Sequence, residues 1–323
     1  EKSMKRYGFG VDIGGTTCKI GLFDLSGVIV EKWEIPTNTE NNGAAILDDV
    51  AAAVLGKMEE KQIAKDDVQG IGLGVPGPVG ADGTVHKCVN LGWGVINVEQ
   101  ILSGKTGLLV KAGNDANVAA LGEMWQGGGK GYKNLVMVTL GTGVGGGIII
   151  NGKVYSGSNF AGGELGHTVI VVDGRPCTCG RHGCWETYAS ATGLIKTTKE
   201  HMKDAPKDSP IWTIVDGDES KVNGRTAFDA MRAGDPVGKA VVDEYIKYLS
   251  VGLTDMINIF QPAILCIGGG ICNEGETLLA PVRAFIDREQ YAMNSAKKTK
   301  VCKAQLGNDA GIIGAALLGK QED

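Results

Sequence analysis

The chain has 323 residues, 43% hydrophobic and 21% charged, which at about 100–200 residues per domain is ordinary globular material for two domains. Its 32 lysines and arginines against 37 aspartates and glutamates leave a net charge of −5, with no basic run of the kind that holds nucleic acid. No stretch of about 18 apolar residues is present to span a membrane, and no apolar signal segment opens the chain. Met4 before Lys5 and Arg6 reads as the natural start, and the cytoplasm is the expected compartment.

In chain order, residues 7–13 read as a strand, Gly14-Gly15-Thr16-Thr17 turn it, and strands over 18–24 and near 28–35 complete a meander. A helical pattern covers about 44–62. The apolar run 71–75 is a strand closed by Pro76-Gly77-Pro78. A helical stretch starts over 98–102, and 107–112 is a short strand. The pattern then restarts, with a helix over 117–125, a strand over 135–140, a glycine loop over 141–147 and a strand over 148–154. The strand, Gly/Thr loop, strand order of 9–23 thus recurs at 138–154. This predicts a structural duplication that sets two glycine loops around one ligand. The second half is helical from 187 to 260, apart from a loop-rich patch at 204–223. A strand over 263–267 runs into Gly268-Gly269-Gly270, a last strand covers 299–305, and 311–318 is an apolar helix rich in glycine and alanine. Strands alternating with helices make the fold class α/β.

Glycine is the compositional anomaly, at 51 of 323 residues against a usual share of about 7%. Three glycine runs are candidates for phosphate or nucleotide contact, because glycine lets an anion approach backbone N–H groups. In the first, Asp12 is placed to hold Mg²⁺, and Gly14, Gly15, Thr16 and Thr17 to cradle phosphate; a plain hairpin is the alternative. A strand follows this run, whereas the dinucleotide fingerprint needs a helix. In the second, Gly141, Thr142 and Gly143 open a run with more glycine than a hairpin needs. The third, Gly268, Gly269 and Gly270, is placed to face a base or ribose. Asn114-Asp115 stands between a strand and a helix, so Asp115 is a candidate general base and equally a candidate helix N-cap.

The eight cysteines divide into a cluster, Cys177, Cys179 and Cys184, and five scattered in the rest of the chain. In a long chain without a secretion signal the cluster points to metal and not to disulfides. With His167 it would make a closed, tetrahedral, structural Zn²⁺ site. Gly180 and Gly183 permit the tight knuckle, and His182 is an alternative fourth ligand. Glu164 and Glu186 flank the cluster. Carboxylates accept paired hydrogen bonds from adjacent hydroxyls, so both are candidates to hold a polyhydroxylated ligand.

The segments VDIGGTTCKIGLFD, GVPGPV, VNLGW, NDANVAALGEMWQG, LVMVTLGTGVGGGIIINGKVYSG, AGGELGHTVI, PCTCGRHGCWETYASATG, ILCIGGG and DAGIIGAALL together resemble the ROK family (repressor, open reading frame, kinase), and within it the glucokinases of Gram-positive bacteria. The resemblance implies an actin-like, ribonuclease-H-type sugar kinase fold of two α/β domains around a cleft. Here these would be 1–115 with about 306–323, and 116–305 with the zinc knuckle. It implies ATP-dependent phosphorylation of D-glucose at the 6-hydroxyl. Other hexoses (N-acetylmannosamine, mannose, fructose, allose) are alternative substrates, and a sugar-sensing protein without catalysis is an alternative function. Asp115 is then the catalytic base. Asn114, Glu164, His167 and Glu186 bind ring hydroxyls, which favours His167 over His182 at the metal, and backbone around Gly77 and Asn90 lines the sugar site. Asp12, Gly14, Gly15 and Thr16 form one phosphate loop, Gly141, Thr142 and Gly143 the other, and Gly268–Gly270 face adenosine. The implied cofactors are ATP, Mg²⁺ and a structural Zn²⁺, and the implied assembly is a homodimer or a tetramer. Regulators of the family carry an added N-terminal DNA-binding domain, for which this chain is expected to have no room.

Overall fold

The structure is a computed structural model and describes residues 5–320; Met4, the expected start, lies outside the described residues. The chain opens with β1 (Tyr7–Ile13), β2 (Thr17–Asp24) and β3 (Ile29–Pro36), then a short turn α1 (Glu40–Gly43) and α2 (Ile46–Glu60). It continues through β4 (Val68–Val75), β5 (Thr84–Val85), β6 (Ile96–Asn97), α3 (Val98–Thr106), β7 (Val110–Asn114) and α4 (Asp115–Gln126). After β8 (Leu135–Leu140), β9 (Val144–Ile150) and β10 (Lys153–Val154) come α5 (Glu186–Ala189), α6 (Ala191–Met202), α7 (Pro210–Thr213), α8 (Thr226–Arg232) and α9 (Pro236–Phe260). β11 (Ile264–Gly268), α10 (Glu276–Glu289), β12 (Lys300–Lys303) and α11 (Ala310–Lys320) end the described chain.

Two five-stranded sheets share one plan. The first has the order β3-β2-β1-β4-β7, with β1, β2 and β3 antiparallel and β4 and β7 parallel to β1. The second has the order β10-β9-β8-β11-β12, again a consecutive trio followed by two later strands, the last pair parallel. The expected duplication is therefore present as strand order. In each copy a Gly/Thr loop joins the first strand to the second.

The glycine run at 141–147 divides differently from the expected loop. Only Gly141–Gly143 turn, and Gly145–Gly147 belong to β9. At Gly147 the reason is packing, since an added Cβ would lie 2.6 Å from the Ala120 Cβ and 2.8 Å from the Ala116 carbonyl of α4. Asn151 and Gly152, at φ 53° and 80°, then turn β9 into β10, the residue pair that favours a tight hairpin. Helix α10 is not anticipated from sequence; it carries Pro281, which reads as a breaker.

Packing divides the described residues into two units. One holds those up to Leu135, Gly147–Gly163 and those from Gln305, and the other holds Val136–Gly146 and Glu164–Ala304. The boundary falls beyond the expected residue 115 because α4 packs against α11. On one face of the first sheet, Phe9, Val11, Leu73 and Val75 pack with Ile46, Val50 and Val54 of α2. On the other lies α11, backbone against backbone. A Cβ at Gly10 or Gly72 would overlap the carbonyls of Ile312 or Ala315, and one at Gly314 would overlap the Val118 carbonyl of α4. This close approach accounts for part of the glycine excess.

In the second unit α9 is capped by Asp235, which accepts from Val237 N at 2.9 Å, with Pro236 at the first helical position. Trp185 is fully buried beside Gly252 of α9 and donates its indole N–H to the Tyr248 carbonyl at 3.0 Å. That anchor holds the end of the cysteine segment to the longest helix.

Candidate active site

In the first unit the site residues gather at the strand ends. Asn114 closes β7 and is itself the N-cap of α4, its Oδ1 accepting from Ala116 N at 3.1 Å and Asn117 N at 3.4 Å. Its Nδ2 donates to the Gly77 carbonyl at 3.3 Å, tying the Pro-Gly-Pro loop to the helix start. With the cap taken, Asp115 is the first helical residue and not the cap. Its Oδ1 accepts from Ala116 N at 2.8 Å, and the helix N-terminus favours its charge. Asp12, at the end of β1, stands beside it; a Cβ at Gly74 would come 3.5 Å from Asp12 Oδ1 and 3.7 Å from the Asp115 Cα. Burial, and then the Asp115 charge, push the Asp12 carboxyl up to about 6, with Lys19 opposing. Two adjacent carboxylates with one lysine near them are an arrangement that a divalent cation relieves. Gly15 and Thr16 are exposed at the β1–β2 turn, while Asn90 is exposed in a short 3₁₀ turn, Val89–Leu91.

In the second unit Gly141–Gly143 turn between β8 and β9. Both ends of the turn are held: the Gly141 carbonyl accepts from Ala191 N at 2.8 Å, and Val144 N donates to Glu186 Oε2 at 3.1 Å. Glu186 starts α5, whereas Glu164 is exposed just before the 3₁₀ turn Leu165–His167, its carbonyl accepting from His167 N at 3.1 Å. Gly269, at φ 107°, passes so close to the Leu140 carbonyl that a Cβ would overlap it. No side chain fits there, so the third glycine run is fixed by packing against the strand that leads into the second.

The ligand atoms of His167, Cys177, Cys179 and Cys184 all lie within 4.8 Å of one another. His167 Nδ1 is 3.5 Å from Cys177 Sγ, and the sulfurs of Cys179 and Cys184 are 3.6 Å apart. A tetrahedron with Zn–S bonds of about 2.3 Å has edges of about 3.7 Å, so the donor set fits a zinc ion in spacing and in softness. His182 is exposed and is not part of this group. Gly180 and Gly183, at φ 92° and 81°, supply the left-handed turns of the knuckle. A backbone hydrogen bond from Arg181 lowers the Cys179 thiol to about 7, while burial raises Cys184 to about 12. Metal binding would ionise both.

Two residues absent from the sequence reading support these groups. Arg175 stacks on the Tyr188 ring at 4.5 Å, donates to the Thr187 carbonyl and Thr197 Oγ1, and pairs with Glu200 at 2.9 Å, so the knuckle is fastened to α5 and α6. Glu123, fully buried in α4, accepts from the N–H groups of Gly128, Gln305 and Leu306 and so holds the approach to α11. An acid inside an apolar helical stretch was the available signal for Glu123. For Arg175 the sequence carries none, because its partners are up to 25 residues away.

A model of the ROK family matches residues 8–322. A glucokinase of Halalkalibacterium halodurans is 42% identical over 322 residues, 98% of this chain and 96% of that protein. A glucokinase of Streptomyces coelicolor is 37% identical over 316 residues, 97% of this chain and 98% of that one. Among solved structures, a ROK family glucokinase from Streptomyces griseus in complex with glucose and AMPPNP superposes with a TM-score of 0.76 at 36% identity, covering 98% of this chain and 100% of that chain. The mixed α/β architecture is the actin-like sugar kinase fold.

Proposed function

The chain belongs to the ROK family, and we propose that it is an ATP-dependent glucokinase, converting ATP and D-glucose to ADP and glucose 6-phosphate. The observation that carries the reading is 42% identity to a glucokinase along 98% of the chain.

Phosphoryl transfer needs positioning and charge stabilisation more than covalent chemistry. Asp115 takes the proton of the 6-hydroxyl as it attacks the γ-phosphorus. The proton ends on the Asp115 carboxylate, and the bond from γ-phosphorus to the β,γ-bridging oxygen breaks to release ADP. Asn114, Glu164, His167 and Glu186 accept and donate to the ring hydroxyls, with backbone at Gly77 and Asn90 beside them. Gly14, Gly15, Thr16 and Thr17 form one phosphate loop, in which the N–H groups of Gly15 and Thr16 and the threonine hydroxyls are the donors while the Gly14 N–H closes the turn on the Thr17 carbonyl; Gly141, Thr142 and Gly143 form the other, and Gly268–Gly270 face adenosine. Asp12 holds the Mg²⁺ that, when bound, neutralises phosphate charge. His167, Cys177, Cys179 and Cys184 hold a structural zinc ion that keeps His167 and Glu186 in place. Two copies of the chain pair in the cytoplasm, where the thiols stay reduced; sedimentation at twice 33.7 kDa tests the pairing.

The test of the function is an ADP-release assay with Mg·ATP and glucose, mannose, N-acetylmannosamine, N-acetylglucosamine, fructose and allose, run beside Asp115→Asn. Glucose is expected to lead. Asp115→Asn is expected to bind glucose within about threefold of the parent and to turn over about a thousandfold or more slowly. Another sugar in the lead corrects the substrate, and no turnover with any sugar defeats the kinase reading.

A further inference from the structure

Thr37 directly follows edge strand β3 and reaches the first glycine loop with both its backbone and its side chain. Its N–H donates to the Thr16 carbonyl at 2.9 Å. Its hydroxyl donates to the Gly14 carbonyl at 2.7 Å. The Sγ of buried Cys18 is 3.3 Å from the same hydroxyl oxygen. A hydroxyl has one proton, and Gly14 takes it, so Cys18 S–H is the donor to Thr37 Oγ1. Burial pushes the Cys18 thiol up, which keeps that proton on sulfur. The result is a short relay, from Cys18 S–H to the Thr37 hydroxyl to the Gly14 carbonyl.

The hydrogen bonds of the loop can then be followed atom by atom. Gly14 N–H donates to the Thr17 carbonyl at 3.0 Å. The carbonyls of Gly14, Thr16 and Thr17 are thus all engaged within the protein. Gly15 and Thr16 are exposed, and among the described residues their N–H groups have no acceptor. A carbonyl oxygen carries partial negative charge and repels phosphate; successive free N–H groups attract it. Which of the two a short turn presents depends on what occupies its carbonyls.

We propose that Thr37 is a positioning residue for the nucleotide phosphates. By engaging the Gly14 and Thr16 carbonyls from behind, it leaves the N–H groups of Gly15 and Thr16 as the face the loop offers to an anion. This rests on the assignment of that loop to phosphate under the proposed function. It reaches beyond the loop's own residues, because Thr37 lies twenty positions beyond Thr17.

The test uses the full chain with Thr37→Val, which keeps the shape and removes the hydroxyl, and Thr37→Ser, which keeps the hydroxyl. Binding of Mg·AMPPNP is measured by calorimetry, and kcat and KM are measured for ATP and for glucose. Thr37→Val is expected to weaken AMPPNP binding about tenfold and to raise the KM for ATP alongside it. The KM for glucose should move less than about twofold, and Thr37→Ser should recover nucleotide affinity to within about threefold of the parent. Parental AMPPNP affinity in Thr37→Val overturns the proposal. So does equal weakening in both variants, or a glucose KM that rises in step with that for ATP, because each describes a structural contact only. If the parent turns over no hexose, the glucokinase reading fails, and the AMPPNP comparison still decides the role of Thr37.

Discussion

Asp12 and Asp115 stand side by side, and the energetic consequence falls on Asp12. Its carboxyl titrates near 3.8 in the unfolded chain and about 6 when folded. The folded protein therefore binds the Asp12 proton more tightly between those values. On this account, stability falls as pH rises through about 4 to 6, by about 3 kcal/mol before any cation binds. Asp12→Asn removes the penalty, so its stability relative to the parent should grow over that interval and level off above it. Urea unfolding of both proteins at half-unit steps of pH, without divalent ions, measures the difference; a flat difference sinks the assignment. The pairing of these acids is invisible in the sequence, where 103 positions separate them. The place of Asp115 between a strand and a helix was legible, because a polar pair that ends one apolar run and opens a helical pattern leaves a local signature. Its role as cap was open until the structure gave the cap to Asn114.

At the scale of elements, α11 shows why so much of the glycine has no part in loops. Gly72 lies under the Ala315 carbonyl with no room for a methyl group, so Gly72→Ala is expected to cost about 3 kcal/mol or more by lifting α11 from the sheet. Gly56, exposed in α2 with nothing within 4 Å of an added Cβ, is the opposite case, and Gly56→Ala is expected to stabilise by about 0.5–1 kcal/mol. Denaturant unfolding of the pair checks both signs, and two changes of the same sign would contradict the packing account. The cysteine knuckle makes a second element-scale case. Cys177 Sγ is 3.9 Å from Glu186 Oε1, and the other oxygen of that carboxylate holds Val144 N at the end of the second glycine loop. On the proposed zinc site, Cys179→Ser should therefore loosen the Gly141–Gly143 turn as well as Glu186. Amide exchange at Val144 is expected to quicken by about tenfold or more, in step with zinc content. Unchanged exchange in a zinc-free protein would separate the knuckle from the loop.

For the whole molecule, the duplicated strand order is the organising fact. Each sheet carries a Gly/Thr loop between its first two strands, and each loop is held by residues far along the chain, Thr37 in one and Glu186 in the other. The repeat was legible from apolar runs and glycine clusters, since a strand followed by a tight turn leaves a local signature. The same holds for the candidate metal ligands, which lie within eighteen residues, 167–184, and whose donor atoms the structure brings within 4.8 Å of one another. α10 was not legible, because a proline inside it argues locally for a break that the surrounding packing overrides. Nor was the end of the first unit, which α4 settles by docking on α11 rather than by any change in composition near 115. Sequence alone determined the α/β class, the duplication, the four metal-ligand candidates and the strand-end acids, because local chemistry and periodicity write those directly. Only the tertiary structure decided which acids meet, which glycines turn and which merely make room, and which carbonyls are engaged. These depend on neighbours brought together from distant parts of the chain, and no local pattern records them.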